Sequence, residues 1–155
     1  MTTAEERLKA LGLSLPEVLP PVANYVPSRT AGNLLYVSGQ GPRLEDGSYQ
    51  VGRLGFDTTV EEGYQAAKLT GLHVLAVAKH ALGDLSRIEA VIKLFGMVNA
   101  EPNFADQPKV INGCSDLLVD VLGDAGRHAR SAIGMGSLPN RMVVEIEAIF
   151  LIRQD

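Results

Sequence analysis

Met142 to Ile152, MVVEIEAIFLI, is the stretch that most restricts how this chain can fold. Its even positions, Met142, Val144, Ile146, Ala148, Phe150 and Ile152, are all apolar, while Glu145 and Glu147 stand at odd positions. Strand side chains alternate between two faces, so the pattern predicts a strand with one unbroken apolar face and both carboxylates on the other. Ile149 and Leu151 follow the carboxylates on that second face, so both faces are expected to be largely covered. A carboxylate in such a setting needs a partner or a chemical task. An arginine shortly upstream, across the turn Gly134-Met-Gly136-Ser-Leu-Pro139, is a candidate partner. Arg130-Ser131-Ala132 reads as the start of an apolar run that this turn breaks.

The rest of the chain supplies the other layers. Ala4 to Leu11 is expected to form a short helix with Leu8 and Leu11 on one face, stopped by Gly12. Pro16, Pro20, Pro21 and Pro27 then forbid regular helix and predict an extended arm that carries Tyr25. Ser28 to Thr30 and Leu34 to Ser38 flank Ala31-Gly32-Asn33 and read as a hairpin. Residues 41–56 are polar and glycine-rich, hence a loop. Thr58 and Thr59 stand three residues before Glu61 and Glu62, a capping-box spacing that opens the longest helix. Val60, Tyr64, Ala67, Gly71, Val74, Ala78 and Ala81 give it one apolar face, Gly83 ends it, and His73 and His80 are expected on its surface. Arg87 to Val98 is a strand apolar on both faces, and Pro108 to Leu122 a second helix. The buried stripe of that helix is Val110, Cys114, Leu117, Leu118 and Val121, with Asn112 off the stripe. The predicted fold is α+β, a ββαβαβ mixed sheet with two helices on one face. The domain proper spans 25–155, behind an N-terminal helix and Pro-rich arm at 1–24. Helices on one face leave the other apolar sheet face uncovered, and self-association is the expected way to cover it.

Composition narrows the chemistry. The 155 residues carry a net charge of −4, which argues against a nucleic-acid surface, and no apolar run is long enough to cross a bilayer. With one cysteine and no secretory pattern at the N-terminus, a cytoplasmic protein is expected. There is no phosphate loop, no GxGxxG, no GxSxG elbow and no Cys/His metal set. Cys114 on a buried stripe is expected in the core rather than as a nucleophile. Arg127 and His128 read as a solvated loop, whereas Arg130 at the edge of an apolar run offers a planar fork suited to a carboxylate. With Glu145 expected nearby, the pair would form a pocket for a small carboxylic acid with a carboxylate ready to handle water or a proton.

These residues resemble the RidA/YjgF family of reactive-intermediate (enamine/imine) deaminases, whose older label is endoribonuclease L-PSP. The resemblance runs from about Tyr25 to Ile152. It is carried by Tyr25, Ala31-Gly32-Asn33-Leu34, Val37-Ser38-Gly39-Gln40, Asn112, Ala129-Arg130-Ser131, Leu138-Pro139 and Val144-Glu145-Ile146-Glu147-Ala148. It implies a chorismate-mutase-like fold and a homotrimer with clefts between subunits. It also implies hydrolysis of 2-imino or 2-aminoacrylate acids to 2-oxo acids and ammonia without a cofactor or metal. Arg130 would hold the substrate carboxylate, Glu145 would position or activate water, and Tyr25, Ser38 and Asn112 would shape the cleft. The chain departs from the family at Ala132, where many members have cysteine, in its longer 41–56 loop, and in the N-terminal arm. It is therefore expected in a divergent branch. The alternatives are a non-catalytic binding or regulatory protein for small 2-oxo or amino acids and, less favoured by the acidic charge, an endoribonuclease.

Overall fold

A computed structural model describes residues 1–154. In chain order the elements are α1 (Ala4–Ala10), β1 (Ser28–Ala31), β2 (Leu34–Gln40), α2 (Val60–Leu82), β3 (Ile88–Asn99), α3 (Gln107–Leu122), β4 (Ala129–Met135) and β5 (Val144–Ile152). Local sequence explains most of their ends. Thr59 caps α2 by accepting from the Glu62 amide through its hydroxyl, and the Glu62 carboxylate accepts from the Thr59 amide. Thr3 and Glu6 repeat that exchange at α1. Gly83 closes α2 at φ +83°, a conformation glycine adopts without steric cost. The β1–β2 turn is the pair Gly32-Asn33, with Gly32 at φ +59°.

The strands form one sheet in the order β1-β2-β5-β3-β4. β5 is central, antiparallel to β2 and to β3. Its even residues Val144, Ile146, Ala148, Phe150 and Ile152 are buried, as the alternation predicts. They face α2 and α3, whose stripe Val110, Cys114, Leu117, Leu118 and Val121 is buried with them. Leu8 of α1 joins the same core, but Leu11 does not share its face and is exposed.

Three features differ from the sequence reading. The α+β class stands, but the sheet has a further strand. Ala129–Met135 is not a run ending at Gly134; it pairs in parallel with β3 from Lys93↔Ala129 to Asn99↔Met135. Glycine-bounded turns on both sides give this segment little strand signal of its own. The open edge of β3 supplies its hydrogen bonds, and α3 is the crossover that a parallel pair requires. Secondly, α2 is buried continuously from Thr70 to Ala78 rather than along one face, although Ala81 is exposed. The loop and the arm reach around it. Arg43 Nη2 donates to the Glu17 carbonyl at 2.6 Å, and His73 Nε2 donates to the Arg43 carbonyl at 2.9 Å. Thirdly, His73 is therefore a core histidine, 5% exposed, and not on the helix surface.

The sheet face opposite the helices is open. Tyr36, Phe95, Ile133, Ile149 and Leu151 lie on it, and Tyr36 and Ile133 remain 44% and 39% exposed. No helix among the described residues is long and apolar enough to cross a membrane.

Candidate functional site

The expected site residues fall into two groups. The first is built on a bulge. Val37 pairs with Ala148 and Gln40 with Ile146, so Ser38 and Gly39 together oppose the single position Glu147. The bulge brings the Gly39 backbone up to the Glu145 side chain. A Cβ at Gly39 would stand 3.0 Å from Glu145 Cδ and 3.2 Å from its Cγ, so only glycine leaves the carboxylate its place. Ser38 ties the arm to β2: its amide donates to the Pro27 carbonyl at 2.9 Å and its hydroxyl to the Val26 carbonyl at 2.7 Å. That staple places half-exposed Tyr25 at the same spot.

Tyr25, Ser38, Gly39, Glu145 and Glu147 line one cleft of about 700 Å³, walled by the proline-rich arm and by Arg43 and His73. Glu145 is half-buried. Burial, and then the neighbouring Glu147 charge, hold its carboxyl above the ordinary carboxylate value. Among the described residues no cation lies within ion-pair distance of either carboxylate.

The second group lies at the β4 edge against α3. Arg130 Nη1 donates to Ser115 Oγ at 2.9 Å and Nη2 to the Pro108 carbonyl at 3.2 Å. Asn112 is four residues after Pro108 and three before Ser115, so it occupies the helix face over which Arg130 lies. Ala132, two residues on, packs against the helix-side core. His128 is not in a solvated loop. It is half-buried, with Nδ1 2.6 Å from the Gly126 carbonyl and Nε2 2.9 Å from Ser115 Oγ. Burial, opposed by the bond to the Gly126 carbonyl and aided by the Arg130 charge, pushes its pKa below the ordinary 6.5. Cys114 is fully buried beneath this face, and burial pushes its thiol up to about 12, which suits a core residue and not a nucleophile.

Arg130 and Glu145 therefore do not meet. Arg130 aligns with Leu94 and Ala148, on the helix-covered face, whereas Glu145 aligns with Met97 and Ile133 on the open face. Ser115, His128 and Gly39 were not anticipated as parts of either group. The glycine had a readable signal, since an isolated glycine at the end of a strand marks a bulge. Ser115 and His128 had none, because their contact depends on where β4 docks. Among the described residues no group of three or more His, Cys, Asp or Glu side chains is placed to hold a metal ion.

Comparison with known proteins places these features in a family. Residues 5–149 match the family described as "YjgF/chorismate mutase-like, putative endoribonuclease". Protein TCP17 of Trypanosoma cruzi is 43% identical over 143 residues, 92% of this chain and 89% of that one. A crystal structure of a protein of unknown function from Agrobacterium tumefaciens is 50% identical, with a TM-score of 0.90 over 97% of this chain and 94% of its own. The structure of a "putative endoribonuclease" from Shewanella oneidensis is 39% identical, with a TM-score of 0.93 over 97% of this chain and 99% of its own.

Proposed function

The chain belongs to the YjgF/chorismate mutase-like family, and on that premise we propose that it hydrolyses 2-imino or 2-aminoacrylate-type acids to 2-oxo acids and ammonia. The observation that carries this reading is Arg130. Its guanidinium is held at two nitrogens by Ser115 and Pro108 of α3, yet among the described residues it meets no carboxylate. Two of its five donors are used, and the rest of the fork is left for a planar anion. A small carboxylate fits that vacancy in charge and shape.

Glu145 supplies the second element. A half-buried carboxylate with a raised pKa is suited to take a proton from water near neutral pH. Water adds to the imine carbon, the C=N electron pair goes to nitrogen, and the resulting aminol expels ammonia to leave the 2-oxo acid. The imine carbon is already electrophilic, so no cofactor enters. Tyr25 and Ser38 shape the wall beside Glu145, and Asn112 lies beside Arg130.

The two halves sit on opposite faces of the sheet, so the reaction requires a second copy. The uncovered apolar face around Tyr36 and Ile149 supports its docking there. The Arg130 edge of one subunit would close over the Glu145 cleft of the next, in a ring such as a homotrimer.

The test couples an amino-acid oxidase, which generates 2-imino acids, to measurement of their decay. Wild type should accelerate decay, and Arg130→Ala should lower kcat/KM by at least about tenfold, the cost of a charged hydrogen bond. Saturable binding of a 2-oxo acid with no acceleration would instead assign the chain to the non-catalytic binders.

A further inference from the structure

We propose that Ser115 and His128 are positioning residues that set the direction of the Arg130 guanidinium, and through it the affinity for the substrate carboxylate. The inference rests on Arg130 being the carboxylate anchor. With His128 neutral, hydrogen-bond chemistry gives one assignment of protons along this chain of contacts. A carbonyl oxygen only accepts, so the 2.6 Å contact between His128 Nδ1 and the Gly126 carbonyl places a hydrogen on Nδ1. A neutral imidazole then has a bare Nε2, which accepts from Ser115 Oγ at 2.9 Å. Ser115 has a single hydroxyl hydrogen and commits it to His128. Its oxygen lone pairs therefore face Arg130, whose Nη1 donates to them at 2.9 Å. The Pro108 carbonyl takes Nη2 at 3.2 Å, so one helix fixes two different nitrogens of the fork.

Two anchors on separate nitrogens define the plane of a guanidinium, which one anchor does not. A serine free to rotate could spend its hydrogen on a carbonyl of its own helix and present a less defined acceptor. His128 removes that freedom. The 123–126 turn has a role in this arrangement, because it presents the Gly126 carbonyl that selects the His128 tautomer. Burial and the adjacent Arg130 charge both favour the neutral imidazole that the relay needs.

The test uses the full-length protein with 2-iminopropanoate, generated from alanine by an amino-acid oxidase, and pyruvate as the binding probe. Ser115→Ala and His128→Ala should raise KM and the pyruvate Kd by about tenfold while kcat changes little, the pattern of lost uniform binding. Ser115→Thr keeps the hydroxyl and should restore both. Two spectroscopic readouts need no substrate. With labelled histidine, one of only three such resonances should report an Nδ1-protonated tautomer, identified by its loss in His128→Ala. The Arg130 Nη1 and Nη2 resonances should be separate in wild type and Ser115→Thr, and merged by free rotation in Ser115→Ala.

Separate Nη resonances persisting in Ser115→Ala, or an Nε2-protonated His128, would overturn the relay. So would an active wild type whose KM is indifferent to Ser115→Ala. A wild type that neither hydrolyses the imine nor binds pyruvate would sink the deaminase reading instead, and the resonances would still decide whether Ser115 holds Arg130.

Discussion

Arg130 and Glu145 stand on opposite faces of one sheet, three residue rows apart along β3: Arg130 is level with Leu94, Glu145 with Met97. Odd separation along a strand reverses the face, so no rotamer change joins the two side chains in a protomer. Arg130→Ala and Glu145→Gln should each retain at most about a tenth of wild-type kcat/KM alone. When the two are unfolded and refolded together, a site shared between subunits should regain about a quarter of wild-type activity, since random pairing in a closed ring unites two intact halves at that frequency. A site within one subunit would regain none. Activity of the refolded mixture, against each variant refolded alone, decides the matter.

Glu145 is held above its ordinary value of 4.5, so the folded protein binds this proton more readily than the unfolded chain. Stability therefore falls as pH rises through the window from that value up to the folded pKa, and is regained below it. Glu145→Gln should raise Tm at neutral pH and abolish imine hydrolysis. Wild-type activity should fall with acidification at a pH above the usual carboxylate range. Thermal melts and rate profiles over the same pH series test both halves; an unchanged Tm in the variant would contradict the burial cost assigned to this carboxylate.

Gly39→Ala is predicted to damage activity more than folding. The added methyl would lie 3.0 Å from Glu145 Cδ and must push the side chain aside. The overpacking should cost about 1 kcal/mol of stability. Displacement of the carboxylate should lower kcat by about tenfold or more. Chemical denaturation and kcat, measured together, separate the two effects.

His73 is buried against the Arg43 carbonyl, and burial is the main cause holding its pKa below the ordinary 6.5. The unfolded chain takes up this proton before the folded protein does, so stability is present above the unfolded pKa and is lost as pH falls through the window beneath 6.5. His73→Gln should flatten that acid slope and weaken the hold of the 41–56 loop. Denaturant midpoints from pH 5 to pH 8, about the span in which the unfolded imidazole titrates, give the slope directly.

Cys114 should not react with a thiol reagent in the native protein. Its side chain is fully buried and its thiol is pushed up to about 12, so little thiolate forms and none is accessible. Modification should proceed only at the rate of unfolding. Rapid stoichiometric labelling of the folded chain would contradict the packing of α3 on α2.

Much of this protein is determined by its sequence alone, where the physics is local and periodic. Alternation along Val144–Ile152 specifies a strand and its inner face, because side chains two apart share a face. Thr59, Glu62 and Gly83 bound α2 because caps act within one helical turn. The stripe from Val110 to Val121 specifies how α3 packs. The tertiary structure decided what depends on register between distant segments. Ala129–Met135 becomes a strand only because β3 has an open edge. His73 is a core residue only because the arm at Glu17 and the loop at Arg43 reach around α2. His128 meets Ser115, and Arg130 turns away from Glu145, because β4 docks in parallel with Leu94 level with Arg130. Moving that pairing by one residue would put Arg130 on the other face without altering a single local preference, which is why the residue types were legible in the sequence and their spatial relationship was not.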